Sequence, residues 1–154
     1  MGLLRDGKWV NQWYNTKTIG GLFERKKSQF RNWITADGSP ASSGKGDFIS
    51  AIGRYHLYIS LACLWASRAL TLRSLKNLAD TISFLGVHWY MTENGWTFQS
   101  GERESPDTVN KTKYLYGVYA KAKKNYSGRV VPLEPELNYN QSHNRKKTGL
   151  KLGL

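Results

Sequence analysis

The sequence predicts an α/β domain in which strands and helices alternate, preceded by an irregular N-terminal arm. Strand-forming residues at 54–62 run directly into a helical spacing of apolar residues that starts near Leu64. A second strand-like run, a second helical run and a short third strand follow, which gives the order β-α-β-α-β. With 154 residues, the chain is about one domain long.

Residues 1–53 are predicted to form an arm that wraps over a core built later in the chain. They are rich in Gly, Ser, Asn and Trp, and their apolar residues show little periodicity. The run from Ala36 to Asp47 consists of residues typical of loops. The domain proper is therefore predicted at 54–133.

The first half of this domain is predicted as a strand, a helix and a second strand. The segment 54–62 is rich in Tyr, Leu and Ile, which favours a buried strand. From Leu64 onwards the apolar residues recur at helical spacing. The second strand is predicted to run from Ile82 to Trp89, and a turn is predicted at 93–95.

The second half is predicted as a polar loop, a helix and a short third strand. The loop covers 99–110, and apolar spacing predicts the second helix over Lys111 to Lys124. The third strand is predicted to start at Val130 and to be interrupted by Pro132, since proline removes a donor from a sheet. Residues 134–154 lack a sustained period and are predicted to be a poorly ordered tail.

Cys63 is the only cysteine, and it lies where the first predicted strand meets the first helix. Backbone N–H groups and the helix dipole at such a position favour a thiolate, which is the reactive form of a thiol. The alternative, a small buried hydrophobic residue, is equally compatible with the pattern. If Cys63 forms a mixed disulfide, an external thiol must resolve it, because the chain has no second cysteine.

The formal net charge of +12 attracts anions, which leaves open a non-catalytic nucleic-acid or polyanion-binding module. The basic residues are spread along the chain, and no zinc-finger spacing or RNA-binding aromatic motif accompanies them. A solvated basic surface is therefore favoured over a nucleic-acid site. Arg73, on the first predicted helix, is interpreted as one of these solvated charges.

Other features favour a cytoplasmic protein without a metal site. The N-terminus lacks the apolar stretch of a secretory signal, and the longest apolar run is too polar to span a membrane. The three histidines show no ligand-like spacing, so no metal site is predicted.

Several strings in the chain are specific enough to indicate a family. They are Gln12-Trp13-Tyr14, Phe30-Arg31-Asn32-Trp33, Thr35-Ala36-Asp37-Gly38, Arg54-Tyr55-His56-Leu57-Tyr58, Ser60-Leu61-Ala62-Cys63, Glu93-Asn94-Gly95-Trp96-Thr97-Phe98 and Tyr126-Ser127-Gly128-Arg129-Val130. Through them, residues 1–132 resemble the Xi-class glutathione transferases, also called glutathionyl-hydroquinone reductases. The resemblance implies a thioredoxin-like domain that uses glutathione as co-substrate, without a metal.

The resemblance also implies roles for individual residues. Cys63 would attack the sulfur of a glutathionyl-hydroquinone, and a second glutathione would release the resulting mixed disulfide. Trp96 would pack on glutathione, Arg129 would bind one of its carboxylates, and Val131, before Pro132, would offer its backbone to the cysteinyl part. Full-length members of the family are expected to be homodimers.

The chain also departs from the family pattern. Leu64 stands where the family has proline, and one residue is lost before Pro132. The Glu-Ser pair that binds the γ-glutamyl end of glutathione in the family has no counterpart, and neither does the helical C-terminal domain. The sequence therefore predicts a truncated relative with an incomplete thioredoxin-like domain.

Overall fold

The computed structural model describes residues 2–12, 20–21, 29–30, 32–42, 46–99 and 105–132. Its elements in chain order are β1 (Leu3–Arg5), β2 (Lys8–Val10), β3 (Tyr55–Ile59), α1 (Leu64–Leu75), β4 (Ile82–Gly86), α2 (Leu115–Ala122) and β5 (Gly128–Arg129). The tail predicted at 134–154 lies outside the described residues, as do parts of the arm.

Strands β3 and β4 are parallel and are connected by helix α1, as the sequence predicts. Their register pairs Tyr55 with Ile82 and Ile59 with Gly86. Ala66 on the inner side of α1 packs against β3, so the helix covers one face of the strand pair. Strand β3 ends three residues earlier than predicted, because the chain turns before α1 begins.

Arg73 connects the end of α1 to the start of β4, so its interpretation as a solvated charge is wrong. Its guanidinium donates hydrogen bonds to the carbonyls of Ala79 and Ile82, each at 2.6 Å. It also lies over the ring of Phe84, 5.2 Å from the centroid. These contacts fix the chain reversal that makes β4 parallel to β3.

A second sheet joins the arm to the far end of the described chain. Strands β1 and β2 form a hairpin, and β1 also pairs antiparallel with β5, so that Leu4 lies opposite Gly128. The predicted start of the third strand at Val130 is therefore wrong by two residues. Within the described part of the chain, this strand pairs with the arm and β3 pairs only with β4.

The main core joins this second sheet and helix α2 to the β3–β4 pair, through Tyr58 of β3 and Val87. It includes Leu4 from the arm, and Val118 and Tyr119 from α2, all fully buried. Phe30 stacks on Tyr126, with ring centroids 5.2 Å apart. The arm thus supplies side chains to the core, because its hairpin forms a layer of the fold rather than an outer wrapping.

Gly7 has no room for a side chain, so Gly7→Ala is expected to destabilise the protein by more than about 2 kcal/mol. The backbone at Gly7 has φ +76°, and an added Cβ would lie 2.1 Å from the carbonyl oxygen of Lys124. The measurement is the free energy of unfolding in urea.

Gly53→Ala is the matched control for this substitution. Gly53 also has a positive φ, +67°, but an added Cβ meets no atom within 4 Å. Its expected cost is the backbone strain alone, about 1 kcal/mol. Equal losses for the two variants would show that the contact between Gly7 and Lys124 is not formed in solution.

Candidate functional site

Cys63 is the residue immediately before α1, so the prediction that it lies at a helix start is confirmed. It has an extended backbone (φ −100°, ψ 117°), and its carbonyl accepts the N–H of Ser67 at 3.2 Å. Its side chain forms no capping hydrogen bond and is half-buried, packed against the small cluster that includes Ile59 and Ala66. Cys63 is therefore the residue at the N-terminal boundary of α1.

Two backbone hydrogen bonds describe how the chain continues beyond β3 and beyond β4. The N–H of Cys63 donates to the carbonyl of Ser60 at 3.0 Å, and the N–H of Val87 donates to the carbonyl of Ile59 at 2.8 Å. Since β3 and β4 are parallel, their carboxyl ends meet at one edge of the sheet. Both Cys63 and the residues that follow Val87 lie at that edge.

Strand β4 ends at Gly86, so the prediction that it reaches Trp89 is wrong. The chain turns there instead: the N–H of Tyr90 donates to Nδ1 of His88 at 3.0 Å. Trp89 and Tyr90 are consequently 62% and 59% exposed. The sequence analysis assigned no role to either side chain, because Trp89 fitted the alternation of the longer predicted strand.

Trp96 follows the predicted turn, which is confirmed by reciprocal hydrogen bonds between the backbones of Thr92 and Gly95 at 3.2 and 3.0 Å. The Trp96 side chain is half-buried and packs against the main core. Its carbonyl accepts the N–H of Leu115 at 2.9 Å, which connects it to the start of α2. Its predicted contact with glutathione stays a prediction.

Arg129, Val131 and Pro132 lie together at the end of the described chain. Arg129 is half-buried in β5, and its carbonyl accepts the Tyr126 hydroxyl at 2.9 Å. The Tyr119 hydroxyl donates to the carbonyl of Val131 at 3.0 Å and accepts its N–H at 3.2 Å. The backbone groups of Val131 that are predicted to bind glutathione therefore contact Tyr119 in this structure.

Pro132 is buried, and no peptide bond among the described residues is cis, so the bond from Val131 to Pro132 is trans. The roles predicted for Arg129, Val131 and Pro132 stay predictions. The structure adds one condition, because Tyr119 must release the Val131 N–H before that N–H can donate to a ligand.

Asp107 is the centre of a buried polar network that the sequence analysis missed. Its carboxylate accepts hydrogen bonds from the hydroxyls of Tyr58 and Thr112, at 2.8 and 2.7 Å, and from the N–H groups of Val109, Asn110 and Thr112. The predicted polar loop at 99–110 gave no signal that one of its carboxylates is buried.

The network determines the protonation of its members. Burial raises the pKa of Asp107, but the hydrogen bonds from Asn110, Thr112 and Tyr58 outweigh burial and lower the pKa below its ordinary value. Burial, and then the hydrogen bond to Asp107, raises the pKa of the Tyr58 hydroxyl. Asp107 is thus an anion that accepts, and Tyr58 a neutral hydroxyl that donates.

Among the described residues, no group of three or more His, Cys, Asp or Glu side chains is placed to hold a metal ion. None of the described helices has both the length and the apolar character needed to cross a membrane.

The chain is similar to known glutathione-dependent enzymes, although no family model matches it. It is 51% identical over 132 residues to glutathionyl-hydroquinone reductase YqjG of Escherichia coli and 48% identical over 131 residues to PcpF of Sphingobium chlorophenolicum. Each match covers 85% of this chain. The chain is a homologue of the Xi-class glutathione transferases. It spans 40% and 39% of the length of these two relatives.

Solved structures of this family confirm the predicted fold class. The glutathione-bound structure of YqjG matches 84% of the chain with a TM-score of 0.68 at 44% identity. The match covers 37% of the YqjG chain. The Xi-class transferase of Natrialba magadii matches 85% of the chain with a TM-score of 0.71 at 38% identity. This match covers 38% of the Natrialba chain. The chain has the mixed α/β, thioredoxin-like architecture of glutathione transferases.

Proposed function

We propose that this chain carries the thiol chemistry of a glutathionyl-hydroquinone reductase, with Cys63 as the nucleophile. The observation that carries the proposal is the position of the only cysteine, directly before α1 and at the carboxyl end of two parallel strands. The relatives named as glutathionyl-hydroquinone reductases, at 48–51% identity, supply the reaction class.

In the first step, the Cys63 thiolate attacks the sulfur of a glutathionyl-hydroquinone. A disulfide forms between Cys63 and glutathione, and the bond from that sulfur to the hydroquinone ring breaks. The electron pair of the broken bond stays with the ring carbon, which takes up a proton, so the hydroquinone is released. The attacking group is the thiolate, because the thiolate is the reactive form of a thiol.

In the second step, an external glutathione thiolate attacks the glutathione sulfur of the mixed disulfide. Glutathione disulfide leaves and the Cys63 thiolate is restored, so glutathione is the reductant. The resolving thiol must be external, because Cys63 is the only cysteine. Such chemistry suits the cytoplasm, where a glutathione pool keeps thiols reduced.

Glutathione itself would be bound by Trp96, Arg129, Val131 and Pro132. Trp96 supplies an aromatic surface that is only half-buried, and Arg129 supplies a cation for a carboxylate. Val131 supplies a carbonyl with a second lone pair, and an N–H once Tyr119 releases it. These two backbone groups match the donor and acceptor of a peptide backbone, which glutathione has.

Stoichiometric labelling of the whole chain tests the proposal without requiring turnover. Incubation with one equivalent of a glutathionyl-hydroquinone is expected to add one glutathionyl group and to release one hydroquinone, because the first step exchanges one for the other. Intact-mass spectrometry measures the label and chromatography measures the hydroquinone. Excess glutathione is then expected to remove the label as glutathione disulfide. A chain that stays unlabelled, or a label outside Cys63, contradicts the proposal.

A further inference from the structure

We infer that Trp89 and Tyr90 form a binding surface for the aromatic ring of the thioether substrate, at the same edge of the sheet as Cys63. The inference rests on the proposed function for the identity of the ligand. Its own basis is the position, exposure and anchoring of two aromatic side chains to which the sequence analysis assigned no role. We call Trp89 and Tyr90 the aromatic pair.

The hydrogen bonds described above place the aromatic pair at the edge of the sheet that carries Cys63. Ser60 and Ile59 are neighbours in the chain, and they bind the N–H groups of Cys63 and Val87 respectively. The aromatic pair begins two residues after Val87. Backbone hydrogen bonds therefore fix both the turn that carries Cys63 and the start of the segment that carries the aromatic pair.

The aromatic pair is exposed and yet held in place. His88 fixes the segment, since its N–H donates to the carbonyl of Thr97 at 2.9 Å and its ring stacks on Trp89 with centroids 5.4 Å apart. The Trp89 and Tyr90 rings meet at 65° with centroids 5.8 Å apart. Both side chains remain more than half exposed, so ring surface is available on an ordered backbone.

The chemistry of the substrate determines which part of it such a surface would bind. Glutathione is a polar, charged tripeptide without an aromatic group, whereas the hydroquinone is a planar ring with two hydroxyls. Aromatic side chains gain most from another ring, through offset stacking or edge-to-face contact. The aromatic pair would therefore select the hydroquinone part and hold the carbon–sulfur bond near Cys63.

Calorimetric binding to the full chain in a Cys63→Ser background tests the inference, because binding is then measured without reaction. The probes are S-(2,5-dihydroxyphenyl)glutathione and glutathione. Trp89→Ala is expected to weaken binding of the aromatic thioether by about 5-fold or more, since a ring contact is lost. Binding of glutathione is expected to be unchanged. Circular dichroism melting checks that each variant folds.

Trp33→Ala is the matched control, because Trp33 is similarly exposed, at 52%, but lies near the opposite edge of the sheet. Thr35, two residues after Trp33, pairs with Ile49. The carbonyl of Ile49 accepts the hydroxyl of Tyr55 at 2.6 Å, and Tyr55 is the first residue of β3. This variant is expected to bind the thioether like its parent.

Three outcomes overturn the inference: no binding of the thioether, equal binding after Trp89→Ala, or an equal loss after Trp33→Ala. None of these depends on the thiol. A chain that binds the ring through Trp89 but is never labelled at Cys63 supports the aromatic surface and contradicts the proposed function. Labelling without an effect of Trp89 does the reverse.

Discussion

Replacing Cys63 with serine is expected to abolish labelling by a glutathionyl-hydroquinone, with no glutathionyl adduct detectable by intact mass. A serine hydroxyl is not ionised near neutral pH and is a weak nucleophile unless a neighbouring base activates it. No residue other than Cys63 carries a thiol, so no second site can substitute. The expected change is therefore complete loss rather than a reduced rate.

A displaced thiol separates the effect of position from the effect of having any thiol. The control combines Cys63→Ser with Ala62→Cys, because residue 62 is exposed and lies one position before the helix boundary. This variant is expected to be labelled much more slowly than the wild type, since its sulfur is no longer adjacent to the first turn of α1. Equal labelling rates would mean that the helix start has no part in the reaction.

The elements that sequence patterns predicted well are those with local signals. Strand β3 is a short run of strand-forming residues, helices α1 and α2 have apolar residues at helical spacing, and the structure contains each of them. The position of Cys63 follows from the same signals, because it lies between a buried strand and a helical run. The observed elements are shorter than the predicted ones by several residues where a turn intervenes, as at the end of β3 and before α2.

The arm was predicted less well, although part of its signal was present. Arg5-Asp6-Gly7-Lys8 contains an Asp-Gly pair, the typical centre of a two-residue hairpin turn, and both central residues have positive φ. The pairing of β1 with β5 was not predictable in the same way. It joins strands of three and two residues across more than one hundred positions, and such short strands carry no register signal.

The aromatic pair and Asp107 show a different limit of sequence patterns. The identity of an aromatic residue does not show whether its side chain is exposed or buried. Trp89 also fitted the alternation expected of a longer strand. A carboxylate in a polar segment is usually solvated, and only the tertiary structure brings the Tyr58 hydroxyl to Asp107 across 49 positions. Both outcomes depend on tertiary contacts that a local sequence pattern does not encode.

Asp107→Ala is expected to destabilise the protein by about 4 kcal/mol or more, a large part of the roughly 5–15 kcal/mol that a domain typically has. The substitution removes the acceptor of the Tyr58 and Thr112 hydroxyls and of three backbone N–H groups. Each donor left unpaired in a buried site costs about 1–3 kcal/mol. The free energy of unfolding in urea is the measurement.

Asp80→Ala is the control, because Asp80 is exposed and its loss is expected to cost no more than about 0.5 kcal/mol.

The pH dependence of the stability difference then assigns the effect to the Asp107 carboxylate. The folded-state pKa of Asp107 lies below its ordinary value of 3.8, so its contribution is fully present above that pH and is lost as the pH falls through the folded-state pKa. The stability difference between wild type and Asp107→Ala should therefore stay constant from about pH 7 to 5 and shrink below about pH 4. A difference that persists unchanged into strong acid, or one matched by Asp80→Ala, would mean that the charge of Asp107 does not hold β3 to the start of α2.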